Sequence, residues 1–166
     1  MTSTDAAMKH HPASVVLGRP RTLPVTVDTR EQEPYRYPPE YATITTQCLK
    51  TGDYALTGDT WTIERKSISD LIGTIISGRL DGQMQRMREH VGPDLLMVIC
   101  VDGDKQEFAS WKQWGRCGRA SCAWAFSELY RISYQYRVAV DWNPSRRWAA
   151  MSCWRWLRTR MKAGAK

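Results

Sequence analysis

Short apolar or alternating stretches, each bounded by turn residues, fill the first part of the chain. Such stretches are typical of β-strands, and they predict strands at 25–28, 42–48, 54–56 and 61–66. Thr57-Gly58-Asp59 lies between the last two and has the composition of a hairpin turn. We therefore expect these two strands to pair antiparallel, and the four strands together to form a meander.

A helical pattern follows the last of these strands. Apolar residues recur at helical spacing over 71–76. Ser67, with Asp70 three residues later, is typical of a capped helix N-terminus. A second, polar helical pattern then continues to about His90.

The run 95–101 is continuously apolar and has the length of a strand, which predicts a central strand covered on both faces. The rest of the chain is predicted as an irregular basic segment (103–120), a helix (121–136), a short strand (137–140) and a basic, Trp-rich helix (145–161). This order of elements predicts an α/β fold with a mixed central β-sheet flanked by α-helices.

Charge is divided unevenly along the chain. The net charge is +7, yet the first 110 residues hold 15 acidic and 12 basic side chains, and the remainder holds 12 basic and two acidic ones. A basic half joined to an acidic half suits a polyanionic partner, and the interleaved aromatic residues favour nucleic acid. The alternative is a solvated basic surface without a partner.

Length, apolar stretches and cysteine content indicate what class of protein this is. A length of 166 residues fits one domain with a proper core. The absence of a 20-residue apolar stretch and of a signal-peptide pattern predicts a cytoplasmic protein without a membrane partner. The five cysteines, an odd number without metal-finger spacing, are expected to be reduced thiols.

Candidate chemistry concentrates in the predicted hairpin. Glu64 and Lys66 point to one face of a regular strand, because strand side chains repeat every two residues. Antiparallel pairing can bring Asp53 beside Glu64, whereas Asp53 by itself is an ordinary turn residue. Two carboxylates next to a lysine suit a hard divalent cation that serves phosphodiester cleavage. The alternative is a surface Glu/Lys pattern without chemistry.

Four sequence blocks resemble the XPF-type structure-specific nuclease family, which belongs to the restriction-enzyme-like PD-(D/E)XK superfamily. They are Val27-Asp28-Thr29-Arg30-Glu31, Gly52-Asp53-Tyr54, Glu64-Arg65-Lys66-Ser67-Ile68-Ser69-Asp70 and Gly78-Arg79-Leu80-Asp81-Gly82-Gln83. They occur in the family's order over about residues 24–142. The resemblance implies a restriction-endonuclease-like fold and homodimerisation. Residues 1–23 show no periodicity, so a flexible arm is expected there, followed by a single nuclease domain over 24–166.

The resemblance also implies roles for the acidic residues and the lysine. Asp28, Asp53 and Glu64 are expected to hold Mg²⁺ or Mn²⁺, and Lys66 to position the attacking water. Glu31 either binds a second ion or only a neighbouring basic group. Asp70, which caps a helix, is expected to support the site rather than to bind metal.

Basic and amide side chains are the candidates for DNA contact. Arg30 either balances the acids or reaches a phosphate, and Arg65, on the face opposite Glu64, is at least as well explained by pairing with Glu31 or Asp70. Candidates in later segments are Arg79 and Gln83, which share a helix face and serve DNA contact or site support, and Arg116 and Arg119 in a glycine-containing loop.

The aromatic residues of the last helix are assigned to packing instead. Trp148 and Trp156 lie eight residues apart and share a helix face, so core or dimer packing is favoured over base stacking.

Together these features predict a metal-dependent DNA endonuclease that cuts flap, fork or junction DNA without a nucleotide cofactor. Cellular members of the resembled family append helix-hairpin-helix modules, which do not fit after residue 142, so a minimal bacterial- or phage-like relative is expected. The alternatives are a non-catalytic DNA-binding or scaffold module with a degenerate site and an RNA-cleaving enzyme.

Overall fold

The computed structural model describes residues 22–111, 114 and 121–164. The strands are β1 (Leu23–Asp28), β2 (Ala42–Gln47), β3 (Tyr54–Leu56), β4 (Thr62–Ser67), β5 (Met97–Asp102) and β6 (Val138–Asn143). The helices are α1 (Ile68–Ile76), α2 (Arg79–Val91), α3 (Lys105–Ala109), α4 (Cys122–Tyr136) and α5 (Arg146–Gly164). The six strands form one sheet in the order β2-β1-β3-β4-β5-β6.

The predicted mixed sheet flanked by helices is confirmed, but the meander is wrong at β2. Strand β3 pairs antiparallel with both β1 and β4, as a meander requires, whereas β2 runs parallel to β1 at the edge of the sheet. The connection 29–41 is long enough to return the chain to the starting end of β1, which a parallel pair needs. Because β3 is antiparallel to both of them, β1 and β4 run in the same direction and end at the same edge of the sheet.

The predicted hairpin turn is confirmed. The N–H of Asp59 donates to the carbonyl of Leu56 at 2.9 Å, and Gly58 has a φ of 84°. Asp59 also forms an ion pair with Arg160 at 2.7 Å, and this contact holds the turn against α5.

The two faces of the sheet are covered by different helices. Strand β5 is buried from Met97 to Val101, and it pairs parallel with β4 and β6. Cys100 donates to the carbonyl of Ala149 on α5, so Arg65, its register partner, faces the α5 side. Glu64 and Ile99, one position earlier in the register, therefore face the side of α1, α2 and α4.

Helix α1 begins as the capping pattern predicted. The Oγ of Ser67 accepts the N–H of Asp70 at 3.1 Å and donates to its carboxylate at 2.6 Å. Gly78, with a φ of 71°, makes the left-handed turn between α1 and α2, a conformation that favours glycine. The buried residues of α1 are Ile68, Leu71, Ile72 and Ile75.

Elsewhere the differences are small. Helix α3 lies within the segment predicted as irregular, and β6 continues three residues beyond its predicted end, to Asn143. In α5, Trp156 packs partly buried against the core, whereas Trp148 is 47% exposed. Of the two kinds of packing predicted for this pair, core packing is present for Trp156, and dimer packing of Trp148 stays a prediction. Trp154 is the buried tryptophan, and its indole N–H donates to the carbonyl of Tyr41 at 2.8 Å.

The four described cysteines are free thiols, of which Cys100 and Cys153 are buried. Among the described residues, no helix combines the length and the apolar character that crossing a membrane demands.

Candidate active site

The β3–β4 hairpin brings Asp53 next to Glu64. The N–H of Asp53 donates to the carbonyl of Ile63 at 2.8 Å, and one carboxylate oxygen, Oδ2, accepts the backbone N–H of Arg65 at 2.7 Å. Gly52 is required just before it, because a Cβ there would lie 2.7 Å from the Cβ of Thr62. The Gly-Asp pair therefore fixes how closely the carboxylate approaches β4.

Glu64 has two side-chain donors on one oxygen. Its Oε1 accepts the ammonium group of Lys66 at 3.1 Å and the amide of Gln83, from α2, at 2.5 Å. Glu64 and Lys66 are each only 6% exposed. The predicted convergence of Glu64 and Lys66 on one face is thus present, and α2 supplies the group that fixes the carboxylate.

The two carboxylates of Asp53 and Glu64 are not fully balanced by the ammonium group of Lys66. Burial, together with the charges of Glu64 and Glu31, raises the pKa of Asp53 to about 8. Within the described part of the chain, Asp53 Oδ1 and Glu64 Oε2 accept no hydrogen bond. Two partly free carboxylates whose charges repel each other fit a hard cation that keeps several waters, as Mg²⁺ does.

Asp28 is not brought into this pair. Its Oδ1 accepts the backbone N–H and the Nε of Arg30, both at 2.7 Å, and its Oδ2 accepts Arg30 Nη2 at 2.9 Å and the N–H of Leu49 at 2.6 Å. These bonds to Arg30 and Leu49 hold the pKa of Asp28 below its usual value. Over residues 22–111, 114 and 121–164, no three His, Cys, Asp or Glu side chains are grouped so as to hold a metal ion. The three predicted ligands therefore do not form one cluster, because the turn after β1 folds Arg30 back onto Asp28.

Arg65 lies at the centre of a largely buried ion-pair network on the α5 face. Its guanidinium donates to Asp102 at 2.6 and 2.8 Å and to Glu31 at 3.0 Å, and it lies over the ring of Tyr35 at 5.5 Å. Of the two partners predicted as alternatives, Glu31 pairs with Arg65, whereas Asp70 lies in α1 and caps it. Asp102 is an additional partner.

Sequence reasoning missed Asp102 and Tyr35. The hydroxyl of Tyr35 donates to Asp102, which also binds Arg65. A signal was present: Asp102 directly follows the apolar run of β5, just as Asp28 ends the apolar run of β1. The carboxyl ends of parallel strands share one edge of a sheet, so acidic residues at these ends belong to one region.

The other candidate residues form no hydrogen bond or ion pair with the carboxylate pair, or they lie outside the described residues. Asp70 is exposed and its described bonds are those of the α1 cap. Arg79 is exposed and donates to the Oγ of Ser77 at 2.9 Å. Arg116 and Arg119 fall outside the described residues.

Two roles were predicted for Gln83, DNA contact and support of the site, and its hydrogen bond to Glu64 favours support of the site. We expect Gln83→Ala to lower kcat for DNA cleavage by about tenfold, because Glu64 loses a hydrogen bond that fixes its orientation. Affinity for DNA should stay unchanged, since the amide is used within the protein. Single-turnover kinetics and a DNA-binding titration measure the two quantities separately.

Gln85→Ala is the matched control, because Gln85 is exposed on the same helix and its side chain, among the described residues, hydrogen-bonds only to Glu89. Cleavage by this variant should match that of the wild type. If Gln83→Ala instead weakened DNA binding and left kcat unchanged, the amide would be a DNA contact.

Comparison with known proteins starts from a family model. Residues 27–146 match the model of the ERCC4 domain. This range contains both carboxylates, Lys66 and the Arg65 network.

Two curated proteins share shorter stretches with the chain. It is 51% identical over 50 residues to the DNA repair endonuclease XPF of Drosophila melanogaster, a match that covers 30% of this chain and 5% of the fly protein. It is 31% identical over 84 residues to a putative ATP-dependent RNA helicase of Methanocaldococcus jannaschii, covering 51% of this chain and 10% of that protein. The matches thus span a small part of either relative.

Solved structures show the same fold. XPF from Aeropyrum pernix superposes with a TM-score of 0.63 at 23% sequence identity, over 82% of this chain and 64% of that one. The same protein in complex with DNA gives a TM-score of 0.61 at 23% identity, over 84% and 65% of the two chains. The match to the family model covers most of the chain, and the carboxylate pair with its lysine lies inside it. The chain therefore belongs to the ERCC4-domain family of XPF-type nucleases.

Proposed function

We propose that this protein is a divalent-metal-dependent DNA endonuclease that hydrolyses phosphodiester bonds near junctions of single- and double-stranded DNA. The observation that carries the proposal is the juxtaposition of half-buried Asp53 with buried Glu64 and Lys66, where one ammonium group faces two carboxylates. A carboxylate pair withdrawn from water in this way is costly unless it serves a cation, since burial and like charge both disfavour ionisation.

Asp53 and Glu64 are the proposed ligands of Mg²⁺ or Mn²⁺. Such a metal, when bound, polarises the phosphate and lowers the pKa of a bound water. Lys66 donates to Glu64 and has further N–H groups, which orient the attacking water and offset charge that develops on the phosphate. Gln83 keeps the Glu64 carboxylate in place, and Asp28 keeps Arg30 in place rather than joining the pair.

Arg30 is a proposed phosphate contact. Its side chain is 64% exposed although Asp28 fixes its guanidinium at 2.7 Å. The Nη1 of Arg30 donates to no group among the described residues, so this side of the guanidinium stays available for a phosphate. Arg79 lies exposed at the start of α2, with Gln83 one helical turn further along. Arg116 and Arg119 belong to the same proposal as contacts of the basic half.

Homodimerisation is also part of the proposal. Helix α4 exposes Trp124, Tyr130 and Tyr134 at 40%, 65% and 91%, so this surface offers apolar area for a second copy.

The test is a substrate panel. Flap, fork, four-way-junction and linear duplex DNA, with an RNA strand of the flap sequence, are incubated with Mg²⁺, with Mn²⁺ and with EDTA. We expect cleavage of the branched substrates with either metal and none in EDTA. Metal-independent DNA binding without any cutting would instead favour the non-catalytic binding module, and cutting of RNA alone would favour the ribonuclease.

A further inference from the structure

A cavity of about 660 Å³ lies on the α5 face, and its lining residues Glu33 and Arg146 bring one end of it next to Arg65, near the edge of the sheet where β4 ends. Its walls come from the connection after β1 and from the first turns of α5. The lining is mainly aromatic and apolar and includes Tyr37, Tyr41, Ala150, Met151 and Trp154. This volume is in the range of pockets that hold a molecule of nucleotide size.

Positive charge surrounds this aromatic cavity. Arg36, Arg146 and Arg147 all line it, against a single acid, Glu33. Arg146 is already used within the protein, because it forms an ion pair with Glu33 at 2.6 Å and lies over the ring of Tyr35. Arg36 and Arg147 are exposed and form no hydrogen bond or ion pair with the described residues. The cavity therefore combines flat apolar walls with two available guanidinium groups.

A chain of ion pairs links the cavity to β4. The Glu33 carboxylate that binds Arg146 also lies 3.6 Å from Arg65, the residue between Glu64 and Lys66. The carboxylate pair and the cavity are thus on opposite faces of the sheet and next to the same edge. A DNA molecule that crosses this edge has one segment near the carboxylates and another near the cavity.

We infer that this cavity binds an unpaired nucleotide of the DNA substrate, with its base among the aromatic side chains and its phosphate on Arg36 and Arg147. The inference rests on the proposed function for the identity of the occupant. A planar apolar group that carries a negative charge matches both the walls and the rim, and base–aromatic contacts tolerate any sequence. A neutral apolar ligand leaves the two arginines unused, and duplex DNA does not present a base.

The experiment measures binding in EDTA, so that it does not depend on cleavage. The probes are a single-stranded oligonucleotide that carries 2-aminopurine and a blunt duplex of the same length. The variants are the double substitution Arg36→Ala/Arg147→Ala and the cavity-filling Ala150→Phe. The control is Arg155→Ala/Lys162→Ala, which removes the same charge from exposed positions of α5 that do not line the cavity.

We expect the wild-type protein to quench 2-aminopurine, because the base is among aromatic rings. The Arg36/Arg147 variant should bind the single strand about tenfold or more weakly than the control, since it loses two phosphate contacts at the site of stacking. Its affinity for the duplex should equal that of the control. Ala150→Phe should abolish the quenching while the arginines remain.

Two results would overturn the inference. One is equal loss of single-strand affinity in the Arg36/Arg147 variant and the control, with the quenching retained. The other is an altered oligomeric state of Ala150→Phe with unchanged DNA binding, which would assign the cavity to a second copy of the chain. A wild-type protein that quenches 2-aminopurine but cuts none of the panel substrates would contradict the proposed function and leave this inference intact. Because the Arg36/Arg147 substitutions are at exposed positions, the test does not depend on whether Ala150→Phe folds.

Discussion

Glu64→Gln is expected to lower the rate of DNA cleavage by at least about 1,000-fold while DNA binding persists. The substitution keeps the size of the side chain and an oxygen that can accept the bonds from Lys66 and Gln83. It removes one of the two negative charges proposed to hold the cation and to place the water. Affinity should persist because basic side chains supply most of the binding free energy to DNA. A gel assay of cleavage and a binding titration in EDTA give the two values.

The variant is expected to stay folded. In the wild type, Asp53 and Glu64 share one buried cation, Lys66, and the pKa of Asp53 is raised to about 8 by burial and by the charge of Glu64. Removing the charge of Glu64 leaves one carboxylate opposite one ammonium group, which lowers the repulsion on Asp53. The thermal unfolding midpoint should therefore be no lower than that of the wild type. Mg²⁺ should raise this midpoint in the wild type but not in the variant, because a ligand stabilises only the form that binds it.

Glu89→Gln is the matched control for the change of charge. Glu89 is exposed on α2 and accepts a hydrogen bond only from Gln85 among the described residues. Its replacement should leave both cleavage and the effect of Mg²⁺ unchanged. Cleavage by Glu64→Gln at close to the wild-type rate would refute the assignment of the carboxylate pair.

Arg65→Met is expected to lower the free energy of unfolding by about 3–5 kcal/mol, as measured by chemical denaturation. The Arg65 side chain is 11% exposed, and those of its partners Glu31 and Asp102 are 9% and 8% exposed. Without the guanidinium, two buried carboxylates lose the cation that compensates for their removal from water. Methionine fills similar volume, so the loss measures charge rather than a cavity.

Arg131→Met provides the contrast. Arg131 also pairs with two carboxylates, Asp81 and Glu128, but its side chain is 43% exposed. We expect this substitution to lower the free energy of unfolding by no more than about 1 kcal/mol, because solvent screens such pairs. Equal losses in the two variants would show that burial does not set the strength of the Arg65 network.

Arg65→Met also separates an effect on stability from an effect on catalysis. Asp53 is held by the backbone N–H of Arg65, not by its side chain. Folded Arg65→Met should therefore cut DNA at a rate close to that of the wild type when assayed at low temperature. A loss of cleavage as large as that of Glu64→Gln would place the guanidinium in the reaction itself.

Much of the candidate site follows from local rules of strand geometry. Alternation along β4 places Glu64 and Lys66 on one face and Arg65 on the other, and the short turn at Gly58 fixes the register that brings Asp53 beside Glu64. The contacts of Gln83, Asp102 and Tyr35 do not follow from local rules. Each comes from another element, so its neighbours depend on how that element packs.

The role of Asp28 shows most clearly what local sequence patterns could not predict. Its position at the end of β1 suggested a third metal ligand, and the strand does end there as predicted. Two residues later the chain turns back and Arg30 occupies both carboxylate oxygens, with a further donor from Leu49. The same turn leads into the connection that makes β2 parallel, which the pattern of strands alone did not reveal.

By itself the sequence determined the strands, four of the five helices, the capped start of α1 and the hairpin that carries the candidate side chains. It could do so because apolar periodicity, turn chemistry and capping act over a few residues and leave a readable pattern. Only the tertiary structure decided which carboxylates share an environment, which arginines are already paired, and that an aromatic cavity lies on the face of the sheet opposite to Glu64 and Lys66. Those outcomes depend on burial and on charges from distant parts of the chain, which meet only when the helices pack against the sheet.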